Sequence, residues 1–138
     1  MVKIIEEFVP RLSDGRYPRT DRGTNPVTGI TIHDTGNRGR GADALAHSRL
    51  QLRGGMPNNS WHATVDDKEV RVNYPDTARC WHAANATGNN NDYAIEICVN
   101  QGGNYAQAVL NAIEFAAIVA KRNPNARVKF VNQDLTFL

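Results

Sequence analysis

Four histidines, His33, His47, His62 and His82, and one acid enclosed by isoleucines, Glu96 between Ile95 and Ile97, are the residues whose type and setting could do chemistry. None of the histidines lies in an H-E-x-x-H pair, and the chain has no phosphate-binding glycine loop and no dinucleotide fingerprint. A serine nucleophile has no G-x-S-x-G elbow to sit on. What remains is polar residues at strand ends. A carboxylate on a central strand between two isoleucines would be partly buried, which raises its pKa toward the range useful for proton transfer. The other reading of Glu96 is a half-exposed strand carboxylate paired with a surface arginine. His33 stands at a strand end before a glycine-rich loop, where α/β sites gather, or else is a hydrogen-bonded structural histidine. His47 reads as structural or surface. Trp61-His62 and Trp81-His82 are two Trp-His pairs. Exposed, they suit a groove for sugar or peptide ligands, because rings stack and imidazoles hydrogen-bond; buried, both tryptophans are core.

The elements that must position these residues follow from periodicity. Residues 29–33 alternate apolar and polar with β-branched enrichment, as a strand does, with Ile30 and Ile32 toward the core and His33 on the other side. Residues 42–53 turn helical, with Ala42, Leu45, Ala46, Arg49 and Leu50 on one stripe and Gly54-Gly55 as the stop. Residues 60–65 and 69–74 form a hairpin candidate around Asp66-Asp67-Lys68, with Trp61, Ala63 and Val65 on one face and His62 and Thr64 on the other. Residues 85–91 read as an Asn/Gly-rich loop and 93–100 as the clearest strand, with Glu96 and Cys98 on one side. Asn104 caps a helix running to about Arg122, with an apolar stripe of Val109, Leu110, Ile113, Ala116, Ala117 and Ala120. Residues 127–131 read as a last short strand. Residues 1–28, with Pro, Gly, Arg and Asp concentrated after residue 9, read as an irregular N-terminal arm. The order predicts one α/β domain with a central mixed sheet flanked by helices.

Composition bounds the function. With 138 residues the chain is the size of one domain, and 41% hydrophobic and 22% charged residues describe a globular protein. A formal charge of +2, from 16 Lys+Arg against 14 Asp+Glu, points to neither nucleic acid nor an anionic membrane. No apolar run has the ~18–20 residues of a membrane span, and the acidic N-terminus does not read as a signal peptide. The expectation is therefore synthesis in the cytoplasm, with any role outside the cell reached by another route, and a monomer. Cys80 and Cys98 form no C-x-x-C motif and read as buried, reduced thiols.

Five ordered motifs carry a family resemblance. Ile30-Thr31-Ile32-His33-Asp34-Thr35 is similar to the T-I-H-N-T strand of the N-acetylmuramoyl-L-alanine amidases of phage endolysins and bacterial autolysins, zinc enzymes related to peptidoglycan recognition proteins. Gly41-Ala42-Asp43-Ala44 with Ala46-His47 resembles their first helix, and Ser60-Trp61-His62-Ala63-Thr64-Val65-Asp66-Asp67 their S-W-H-F-x-V-D-D. Cys80-Trp81-His82-Ala83 resembles x-W-H-A-G, and Ala94-Ile95-Glu96-Ile97-Cys98 resembles G-I-E-I-C. The resemblance implies the amidase/peptidoglycan-recognition fold and cleavage of the amide between N-acetylmuramic acid and the L-alanine of the stem peptide by zinc-activated water, with bacterial peptidoglycan as partner. It places His33 as the first Zn2+ ligand and Glu96 as the general base. Asn37, Trp61, His62, Trp81 and His82 would line the substrate cleft.

The end of the chain departs from the pattern. The family's K-H-Q-D-x-x-G-K-x-C-P is met by Lys129-Phe130-Val131-Asn132-Gln133-Asp134, so Asn132 takes the second histidine's place and the ligating cysteine has no counterpart. An Asn carbonyl is a poor zinc ligand. Three accounts follow: an altered amidase lacking the C-terminal end of the family domain, a muropeptide-binding pseudoenzyme, or a replacement ligand among His62, His82 and Cys98.

Overall fold

The protein is described by a computed structural model over residues 1–131. Its eleven elements run β1 (Lys3–Glu6), β2 (Thr20–Asp21), β3 (Gly29–Asp34), α1 (Ala44–Leu52), β4 (Ala63–Val65), β5 (Glu69–Val72), β6 (Arg79–Cys80), α2 (Ala86–Asn91), β7 (Asp92–Ile97), α3 (Tyr105–Arg122) and β8 (Arg127–Phe130). Six strands form one mixed sheet in the order β1-β5-β4-β7-β3-β8, and β2 and β6 form a separate two-stranded ribbon. Among the described residues only β4 and β5 pair antiparallel within the large sheet; its other neighbours are parallel. The expected α/β domain with a central mixed sheet is the fold observed.

One face of the sheet is the core. Ile30 and Ile32 of β3, Tyr93, Ile95 and Ile97 of β7 and Val65 of β4 are buried against α3, whose Ala108, Ala112, Phe115, Ala116 and Val119 face them. Each such large side chain contributes roughly 1.5–3 kcal/mol by leaving water. Asn104 caps α3 as expected, its side chain accepting from the Gln107 N–H at 3.0 Å. The stripe read from the sequence is out of phase: Leu110 and Ile113 are 59% and 49% exposed. Small alanines let the helix lie close on the sheet, so packing selects their face over the one with larger aliphatics.

The opposite face is polar, and α1 lies over its β4–β5 half. Here too the buried stripe differs from the expected one. Ala44, His47, Ser48 and Gln51 point inward, while Arg49 is exposed. The helix docks through hydrogen bonds: Gln51 Nε2 donates to the Trp61 carbonyl at 3.0 Å and to Asn73 Oδ1 at 3.2 Å, and its Oε1 accepts from the Trp61 N–H at 3.1 Å. Asp43 caps the helix by accepting from the Ala46 N–H at 2.9 Å. In the β4–β5 hairpin, Asp66 Oδ1 accepts from the Lys68 and Glu69 N–H groups, and its Oδ2 takes the Ala44 N–H that begins α1.

Two readings of irregular structure are corrected. Residues 1–28 are not all arm, since β1 completes the large sheet beside β5 and β2 pairs with β6. Residues 85–91 are not loop throughout: α2 forms there because Asn85 caps it, accepting from the Gly88 N–H at 2.8 Å.

Candidate active site

β3 and β7 run parallel in register with His33 opposite Glu96, and β7 and β4 with Glu96 opposite Thr64. Register partners on neighbouring strands project to the same face. His33, Glu96 and Thr64 therefore form one polar row on the face away from α3. Because α1 covers only the β4–β5 half, the β3–β7 half of this face stays open as a cleft.

The cleft has two lobes. One, of about 300 Å³, is lined among others by Asn37, His47, Trp61 and Glu96; the other, of about 740 Å³, by His33, Asp92 and Lys129. Asn59, Trp81 and His82 border both, so the lobes are continuous. Volumes of this order accommodate a ligand of several residues or sugar units.

Three side chains at this floor carry polar atoms that are buried and unpartnered: both ring nitrogens of His33, Nδ1 of His82, and Oε2 of Glu96. Burial, with the like charge of Asp34 behind it, pushes the Glu96 carboxyl up to about 8. Burial lowers His33 against the opposing pull of Asp34 and Asp92. Burial also takes His82 down to about 4, with His33 adding to the shift. Both imidazoles are thus held neutral, the form that ligates a metal. Orphaned atoms clustered in a cleft mark it as built for something it binds, and neutral imidazole with carboxylate is a donor set suited to zinc. No group of three or more His, Cys, Asp or Glu side chains is gathered for a metal among the described residues. Asn132, aligned by the resemblance with a second ligand, lies outside them.

The aromatic pairs separate. Trp81 is half-buried at the rim, its Nε1 donating to Asp21 Oδ1 at 2.9 Å. Trp61 is mostly buried yet lines the cleft, its Nε1 donating to Thr64 Oγ1 at 2.7 Å. His82 faces the cleft, and its Nε2 lies 3.1 Å from the Gly88 carbonyl. His62 does not line the cleft and is corrected. It is fully buried, stacked on Tyr93 with ring centroids 4.3 Å apart; its Nδ1 accepts from the Ala94 N–H and its Nε2 donates to the Ala78 carbonyl. The reason is tertiary: the segment from Ala78 to Cys80 packs on the ring, the Ala78 carbonyl taking its Nε2 proton and Cys80 Sγ lying 3.7 Å from that nitrogen. The side chain is thus enclosed where the alternation alone would leave it facing the cleft. His62 and Cys98 are likewise not brought to His33; Cys98 lies beside Asp67, Asn104 and Tyr105. The two free cysteines are buried, as expected.

The sequence reading missed His47, Leu50, Met56 and Asn59 as cleft residues. His47 is held by its Nδ1 to the Asp43 carbonyl at 2.8 Å and sits with its ring 6.3 Å from that of Trp61. Only the inward face of α1 could have disclosed it, and that face was hidden by its polarity.

Comparison with known proteins identifies this arrangement. Residues 23–131 match the model of the N-acetylmuramoyl-L-alanine amidase family. The chain is 41% identical over 114 residues to the N-acetylmuramoyl-L-alanine amidase XlyA of Bacillus subtilis (strain 168), covering 81% of this chain and 37% of that protein. It is 36% identical over 115 residues to the amidase CwlH of the same organism, covering 81% and 44%. It thus spans less than half the length of these curated relatives. The structure of a mutant endolysin from Bacillus subtilis superposes with a TM-score of 0.78 at 36% identity, over 90% of this chain and 79% of that one. With the match covering every strand of the large sheet except β1, and both sides of the cleft, the chain belongs to the N-acetylmuramoyl-L-alanine amidase family.

Proposed function

We propose that this protein is a peptidoglycan hydrolase that cleaves the amide between N-acetylmuramic acid and the L-alanine of the stem peptide. The observation that carries the reading is the placement of His33 and Glu96 side by side on adjacent strands, facing one open cleft. In this reading Glu96 is the catalytic base: its carboxylate takes a proton from the attacking water and returns it to the leaving amine of L-alanine. A buried carboxyl with a raised pKa is suited to both transfers near neutral pH. His33 would hold zinc, which when bound polarises the scissile carbonyl and acidifies a water. Trp61 and Trp81 offer ring faces to the glycan and peptide, and Asn37, on the loop after β3, offers an amide to the stem peptide. His82 stands between the two lobes. The substrate is bacterial wall peptidoglycan, met by a monomer after release or export by another route. Among the described residues no helix is long and apolar enough to cross a membrane.

The test is product analysis of purified peptidoglycan digested with the protein. Amide cleavage at this bond frees the α-amine of L-alanine and creates no new reducing sugar ends. New reducing ends, or a free amine on another stem residue, would contradict the assignment. Wall binding without any release of amine would leave only a binding module.

A further inference from the structure

We propose that His82 is a metal ligand, supplying through Nδ1 the second imidazole of a zinc site whose first is His33. The inference rests on the reading that His33 holds a metal, and it assigns the neighbouring ligand. Three observations converge on it. The rings of His33 and His82 are 5.7 Å apart between centroids and inclined at 67°. Two imidazoles on one tetrahedral zinc, with Zn–N of about 2.0–2.1 Å, place their ring centres roughly 5–6 Å apart. The observed pair therefore has the separation of two ligands before any ion is added.

Second, the tautomer of His82 is set for the task. Its Nε2 lies 3.1 Å from the Gly88 carbonyl, an acceptor only, so the ring proton sits on Nε2 and the lone pair on Nδ1. Nδ1 is buried and meets no partner, as do both nitrogens of His33. A ligating histidine typically donates its other N–H to a carbonyl or carboxylate, which fixes its orientation. The segment that follows is built to hold this pose: Asn89 Oδ1 accepts from the His82 and Ala83 N–H groups at 3.0 and 2.7 Å, and Asn85 caps α2, which carries the Gly88 carbonyl. Third, the residue aligned with the second ligand is Asn132, whose amide is a weak donor for zinc. An imidazole already facing His33 provides the nitrogen that position lacks.

The experiment is titration of the full chain with Co2+ and Zn2+, read by cobalt absorption and calorimetry, for wild type, His33→Gln and His82→Gln. The second substitution keeps a side-chain N–H for the Gly88 carbonyl and removes the ligating Nδ1 lone pair. Both variants are expected to lose affinity by at least about tenfold, the loss that removing even an outer-shell partner of a ligand causes. In wild type, imidazole 15N resonances of His33 and of His82 Nδ1 shift together at one equivalent of Zn2+. If His33→Gln loses the metal while His82→Gln binds as wild type, or the His82 Nδ1 resonance stays unmoved, His82 is not a ligand and the hydrolase reading stands. If wild type takes up neither metal, the zinc part of that reading falls together with this one. Should His82→Gln fail to fold, the 15N measurement on wild type decides alone.

Discussion

His33 and Glu96 are Cα partners across the parallel pair β3–β7, and neither the ring nitrogens of the first nor Oε2 of the second has a hydrogen-bond partner. Unpaired polar atoms side by side on a sheet floor cost stability. A fold keeps such a cost at a functional site, where the unpaired groups are those that must meet substrate or metal. The remaining polar face shows the contrast: Thr31 donates to Asp92 at 2.6 Å, and Gln51 and Asn73 are fully bonded.

Gln51 anchors α1 to the sheet side of the cleft. Gln51→Leu keeps a similar volume but leaves the Trp61 N–H and carbonyl and the Asn73 amide oxygen without their partner in the interior. A loss of about 2–4 kcal/mol is expected, seen as a fall in Tm of roughly 10 °C for a domain of this size. An unchanged Tm would mean that α1 does not depend on these bonds.

His62 makes stability depend on pH. Burial pushes it down to about 3 from 6.5, partly offset by the Ala78 carbonyl and Asp76, and reinforced by His82 and Arg122. Tyr93 and the Cys80 thiol, which lies 3.7 Å from Nε2, offer no compensating anion. The unfolded chain therefore binds a proton the folded one refuses. Stability from this group is complete above about pH 6.5 and falls by about 1.4 kcal/mol per unit as pH drops below it. Glu96, held up at about 8, and His82, held down at about 4, also titrate in this range, the first with the opposite sign. The His62 contribution is therefore read as a difference: the stability of wild type relative to His62→Gln, from urea unfolding between about pH 6.5 and 5, should fall by about 1.4 kcal/mol per unit. Equal slopes in both proteins would remove His62 as the cause.

Trp81 presents its ring at the junction of the two lobes. Trp81→Ala is expected to weaken muropeptide binding about fivefold, the equivalent of about 1 kcal/mol of stacking, with kcat altered less than KM. A loss confined to kcat would place the ring in the chemistry instead of in binding.

Sequence patterning revealed those elements whose side chains sort by polarity. β3 and β7 were legible because Ile30, Ile32, Ile95 and Ile97 alternate with His33 and Glu96, and α3 because Asn104 and Asn123-Pro124 bracket it. The buried faces of α1 and α3 were not, since one is polar and hydrogen-bonded and the other is alanine-rich. α2 was hidden because asparagines that read as loop act there as a cap and as supports for His82. At the site, His33, Glu96, Asn37, Trp61, Trp81 and His82 are brought to the cleft, whereas His62 is enclosed by Ala78, Cys80 and Tyr93, residues distant in sequence that no local pattern ties to it. His47 and Asn59 reach the cleft through tertiary packing that no local pattern encodes.

The most direct test of the account is the rate at which Glu96→Gln releases L-alanine amine from purified walls. The substitution keeps the shape of the side chain and removes a carboxyl whose Oε2 has no partner, so the fold is expected to survive with unchanged or higher stability. Loss of the base should slow release by about 10²–10⁴-fold while wall binding persists. Release within threefold or so of wild type, a change far below what a general base supplies, would contradict the account at its centre.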